Sequence, residues 1–153
     1  MPITPRPHTL NSLHKTLLVT AALAMPGMCY AEPTDQAEKQ PSVKEVMVEV
    51  IAPASNTIWR AQDISSDAQW AEVKTAAESL LQAGQTIAKG GSGALDMRRA
   101  ATPQWQADNN AMINATKKVL SAVAAKDEEA LFEASNMDLY PPCESCHQLL
   151  NNH

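Results

Sequence analysis

From Ser42 onward the apolar residues recur at steps of three and four, the spacing that gives a helix one buried face. Val43, Val46, Met47, Val50 and Ile51 mark a first helix, A, with Ser42 as N-cap and Glu45 completing a capping box. Pro53 is expected to kink or break it, with a second part running through Ile58 and Trp59. Helix B is expected from Ser66 or Asp67, its face formed by Trp70, Val73, Ala77, Leu80, Leu81, Gly84, Ile87 and Ala88. The run Lys89-Gly-Gly-Ser-Gly93 stops it. Residues 94–102 read as a loop with a helical turn around Leu95–Arg98.

Helix C begins near Thr102 with Pro103 in its first turn, and Trp105, Met112, Ala115, Val119 and Val123 mark its face, joined by Ile113 and Leu120. Asp127 caps helix D, where Glu128 and Glu129 suit the positive end of the helix dipole. Ala130, Leu131, Ala134 and Met137 carry its apolar stripe. Tyr140-Pro141-Pro142 should interrupt the run before a last helical piece from Cys143 to about Leu150. Four amphipathic helices with short connections predict an all-α protein, an antiparallel four-helix bundle. Composition agrees. Aromatic residues are 4% and Gly numbers five, which suits Ala-rich helices better than a sheet with many turns. The length of 153 residues fits one domain.

The first 31 residues read differently. Arg6 and Lys15 precede any acid, the apolar run Thr16–Met25 follows, and Cys29-Tyr30-Ala31 has small residues where a signal peptidase needs them. Residues 1–31 are therefore expected to be a cleaved signal peptide, 32–41 a flexible lead-in, and 42–153 the folded domain. The apolar run is short for a membrane span, so no stable membrane insertion is expected after cleavage; an uncleaved anchor is the competing reading. Met28 argues against lipidation of Cys29. Cleavage leaves ten cations against seventeen carboxylates, a charge of −7, and leaves Cys143, Cys146, His147 and His153 as the remaining cysteines and histidines. An acidic chain of this kind is not expected to bind nucleic acid.

The remaining chemistry is concentrated in Cys143-Glu144-Ser145-Cys146-His147, a C-x-x-C-H motif that attaches a c-type haem. Two Cys three apart share a helical face, so each sulfur can add to one haem vinyl group. His147 follows as a proximal ligand for the iron. A thioredoxin-like pair would need a βαβ pattern that is absent, and a zinc site would need two further ligands. A plain disulfide would leave His147 without a role. Export fits the haem reading, because c-type haem is attached outside the bacterial cytoplasm, and the periplasm is the expected location.

With the motif so near the last residue, no Met follows His147. At this point the chain resembles the cytochrome c′ / cytochrome c-556 family, the class II c-type cytochromes, over roughly Ser42 to Leu150. The resemblance rests on the four helices, the late C-x-x-C-H and the export signal. Two features depart from the family: Tyr140-Pro141-Pro142 precedes the motif, and basic residues are missing after His147. The resemblance implies one covalent haem c on the last helix. It also implies a distal ligand from helix A, as in low-spin members, which here is Met47. Met97, Met112 and Met137 are placed less suitably, and His153 is too close to its own haem. His/Met ligation suits single-electron transfer. Without a Met47 bond the distal face is open, and the alternative is a five-coordinate protein that binds NO or CO.

Arg60 and Arg98 are candidate partners for the haem propionates, with Lys44 and Arg99 behind them. Trp59, Trp70 and Trp105 suit either a haem contact or the core. No nucleophile–base arrangement is visible, so a non-enzymatic protein is expected. The acidic surface points to a basic redox partner, and the resemblance admits a homodimer through helices A and B.

Overall fold

The computed structural model describes residues 40–151, and the side chains of residues 40–148. The expected signal peptide, most of the lead-in, Cys29 and His153 lie outside the described residues. Every regular element within them is helical, so the described fold is all-α.

The N-caps are those the side chains dictate. Ser42 opens α1 (Val43–Val46): its hydroxyl accepts from the Glu45 N–H at 3.2 Å, and the Glu45 carboxylate accepts from the Ser42 N–H at 2.7 Å. The chain then widens into a π-helical segment, π1 (Met47–Ile51), and continues without a break as α2 (Ala52–Trp59). Pro53 therefore does not break the helix. It lacks an N–H and its ring crowds the carbonyl of Glu49. The wider turn just upstream takes up that disturbance, with the Ala52 N–H donating to the carbonyl of Met47, five residues back.

Ser66 caps α3 (Asp67–Ile87) in a second reciprocal box with Gln69. Residues expected as a loop form α4 (Ala94–Ala100). Its start is held by the neighbouring chain: the Asp96 carboxylate accepts from the Val43 N–H at 3.1 Å. Thr102 caps α5 (Pro103–Ala125), and Asp127 caps α6 (Glu128–Glu133), with Glu128 and Glu129 in the first turn as expected. A second π segment, π2 (Ala134–Leu139), leads directly into α7 (Tyr140–Asn151). Tyr140-Pro141-Pro142 thus does not interrupt the run. The carbonyls of Met137 and Asp138, which the two prolines leave without their usual donors, fall inside π2, where the pattern has already changed.

The π2 segment also corrects the apolar stripe. One extra residue in a turn rotates everything after it by about 100° relative to a plain α-helix. Met137, expected on the stripe, is 69% exposed, and Leu139 takes the inward position, fully buried. The same rotation carries Cys143 and Cys146 toward the side already defined by Leu131 and Ala134.

The core gathers Ile58, Ala77, Leu80, Val119, Leu131 and Leu139 between the long runs. α3 and α5 run in opposite directions. The Trp105 indole donates to the Ile87 carbonyl and the Asn109 amide to the Gly84 carbonyl, each at 3.0 Å, while Lys126 pairs with Asp67 at the far end. Gly84 lets them approach, since a Cβ there would sit 2.9 Å from Ile113 and 3.0 Å from Met112. Among the described residues no helix is long and apolar enough to cross a membrane.

Candidate functional site

The motif sits on α7, one turn past π2. Cys143 and Cys146 are free thiols, both half-buried and packed against the core. A plain α-helix from Leu131 onward would turn Cys143 away from the core and Cys146 to the flank of the buried face; the rotation in π2 brings them inward. Burial, with the neighbouring Cys146 adding to it, pushes the Cys143 thiol up to about 11. Burial raises the Cys146 thiol as well, and the negative charge of Asp108 adds to the effect. His147 is exposed at its outer side.

These three residues line one side of a crevice at the end of the helices where α1 and α5 begin and α3 and α7 end. Met47 and Ile51 contribute from π1, Ile87 from the last turn of α3, and Trp105 and Met112 from α5. The structure therefore brings Met47 together with Cys143, Cys146 and His147, from elements nearly a hundred residues apart. Met112 is buried there too, while Met97 and Met137 are exposed and do not line the crevice. Trp105 is in the lining; Trp70 is in the core, and Trp59 bonds elsewhere, to the carbonyl of Ser135.

The two polar residues of the lining, Asp108 and Asn109, were not anticipated. Both are buried on α5. Asp108 Oδ1 accepts from the Gln104 amide at 3.1 Å, and the Asn109 amide is used on Gly84. Asp108 Oδ2 and Asn109 Oδ1 have no donor. Unsatisfied buried acceptors are uncommon, and both of these residues belong to the crevice lining. The signal for them existed: between Trp105 and Met112 a helical face must pass through position 108 or 109. Being polar, they fell outside a search for apolar residues.

Arg60 and Arg98 do not line the crevice. Arg60 is exposed at the end of α2, on a separate open groove with Gln69 and Glu72, and Arg98 is exposed on α4. Arg99 and Lys44 are likewise absent from the lining.

The donor set suits a covalently held haem. Two thiols face an apolar crevice from one helix, an imidazole follows them, and a thioether lies in the same lining. The enclosed space is small, about 30 Å³. A group as large as a porphyrin would need flexible side chains such as Met47 and Met112 to move aside. Among the described residues no three His, Cys, Asp or Glu side chains converge as a metal-binding group. No protein-family model matches this chain, and no curated protein or solved structure is significantly similar to it.

Proposed function

We propose that this chain is an exported, periplasmic c-type cytochrome of the class II kind, an antiparallel four-helix bundle carrying one covalent haem c. Cys143 and Cys146 hold the haem as thioethers. His147 is the proximal ligand of the iron and Met47 the distal one. The bound haem supplies a one-electron Fe(III)/Fe(II) couple, and His/Met ligation favours electron transfer at a raised potential.

The observation that carries this reading is the sharing of one crevice by Met47 and the whole Cys143-Cys146-His147 set. The protein's own contribution is positional. π1 offers Met47 to the crevice, and π2 turns the two thiols toward it. Ile51, Ile87 and Trp105 give the crevice apolar walls, which would lower the local dielectric around a charged centre bound there. Asp108, whose Oδ2 lacks a donor, offers an acceptor for the second ring N–H of a ligating imidazole. We read the site as that of an electron carrier.

The test is the absorption spectrum of protein made with a haem-attachment system, oxidised and reduced, with and without CO. A low-spin spectrum with a Met-to-iron band, lost in Met47→Ala and unresponsive to CO in the parent, supports electron transfer. A high-spin spectrum that shifts with CO removes Met47 as ligand and leaves a five-coordinate protein that binds NO or CO. Absence of covalent haem by mass spectrometry removes the proposal.

A further inference from the structure

The net negative charge of the chain conceals an uneven distribution. Arg60, Asp63, Asp67 and residues 126–133 lie at the end of the helices away from the crevice. That end holds six carboxylates against the two cations Arg60 and Lys126. The segment 88–102, at the crevice end, holds Lys89, Arg98 and Arg99 against the single carboxylate Asp96. Among the described residues the ion pairs are Lys74–Glu78, Lys118–Asp138 and Lys126–Asp67, so Lys89, Arg98 and Arg99 have no ion-pair partner there.

The same segment presents apolar surface. Leu95 is 49% and Met97 53% exposed on α4, beside the exposed Arg98. It is also rigidly mounted. Gly90 adopts φ +83°, and a Cβ on Gly91 would lie 2.5 Å from the Val43 nitrogen, so the backbone packs directly on the start of α1. The Gln106 amide donates to the carbonyls of Ala88 and Ala100, at 2.9 and 2.7 Å, closing the segment at both ends. Ile87, immediately before it, and Trp105, three residues after it, line the crevice. An apolar ridge rimmed by cations, held rigid beside the candidate redox site, suits docking without an ordering cost.

We propose that α4, with Lys89, Arg98 and Arg99 around Leu95 and Met97, is the docking surface for an acidic protein that exchanges electrons with this chain. This rests on the electron-transfer reading. It replaces the basic partner suggested by net charge, because association responds to the potential around the docking patch and not to the total. An anionic membrane is the less favoured occupant, since the acidic far end and the overall charge oppose adsorption to it.

The experiment titrates isotope-labelled, haem-loaded protein with poly-L-glutamate at low salt and follows backbone amide shifts. In parallel it measures oxidation of the reduced protein by anionic hexacyanoferrate(III) and by cationic hexaammineruthenium(III). The expected result is shifts confined to residues 88–100, abolished by salt, and about tenfold weaker binding in Arg98→Glu/Arg99→Glu. Oxidation by the anion slows and oxidation by the cation speeds up in that variant; Lys89→Glu, a separate substitution, moves both the same way by less. Shifts spread over the Lys117 and Lys118 face, or equal binding by the charge-reversed variants, overturn the proposal. So does binding to phosphatidylglycerol vesicles without binding to poly-glutamate, which assigns the surface to a membrane. Localised shifts in protein that carries no haem would keep the cationic surface while removing the electron-transfer reading. Normal redox chemistry with unaltered rates in the variants would do the reverse.

Discussion

The indole N–H of Trp59 donates to the backbone carbonyl of Ser135 at 3.0 Å, tying the last residue of α2 to the π2 segment. The Trp59 ring also meets the edge of Tyr140, with centroids 6.3 Å apart at 63°. One side chain thus holds the helix that carries Met47 against the helix that carries the C-x-x-C-H motif, at the point where the second one is widened. Trp59→Phe keeps most of the ring contact and removes the donor at a residue, Ser135, that is buried. Urea unfolding should show a loss of about 1–2 kcal/mol. A change of only a few tenths would mean that the bond contributes nothing to holding π2.

If π2 sets the direction of the motif, its length should matter more than its composition. Deleting Met137 removes the extra residue and leaves α7 facing as it does now, so both thiols stay half-buried. Inserting one Ala after Met137 turns α7 by about a further 100° and carries Cys143 and Cys146 outward. Alkylation of the haem-free proteins at neutral pH should be slow for the parent and the deletion, and fast for the insertion. Equal rates in all three would show that π2 does not orient the motif.

The buried thiols make a pH prediction with a definite sign. Cys143 titrates at about 11 in the folded haem-free chain, well above an ordinary thiol. Folding therefore favours the neutral thiol. The stability this confers is complete below the unfolded thiol value and is lost as pH rises through the folded one, from about 9 up to about 11. Denaturation midpoints should fall over that range and fall less in Cys143→Ala. Asp108→Asn removes the charge that helps to raise Cys146, so alkylation of Cys146 should begin at lower pH.

Two glycines offer a contrast. A Cβ at Gly91 meets backbone, the Val43 nitrogen at 2.5 Å and Ser42 Cα at 2.8 Å. A Cβ at Gly84 meets side-chain atoms, Ile113 Cγ1 at 2.9 Å and Met112 Cε at 3.0 Å, which have room to move. Thermal unfolding should show Gly91→Ala costing about 2–3 kcal/mol and Gly84→Ala about 1 kcal/mol or less. Because Met112 lines the crevice, Gly84→Ala should also alter the spectrum of the proposed haem; Gly91→Ala should not.

Much of this protein was legible in its sequence. The caps at Ser42, Ser66, Thr102 and Asp127 are local hydrogen bonds between near neighbours, and the apolar stripes of helices A to C follow from period alone. The C-x-x-C-H motif is local in the same way. Rigid rules failed at the prolines. Pro53 and Pro141-Pro142 read as breaks, because their missing N–H groups are a local fact, whereas the relief is a wider turn that packing on both sides makes worthwhile. That turn moved Met137 out and Leu139 in, and no count of residues along an ideal helix contains it. Tertiary structure alone brought Met47 to the motif, left Arg60 and Arg98 outside the crevice, and placed Asp108 and Asn109 within it. Those outcomes depend on which helix faces which across the core. Periodicity says that a face is buried; the energy of packing one helix against another says what it is buried against.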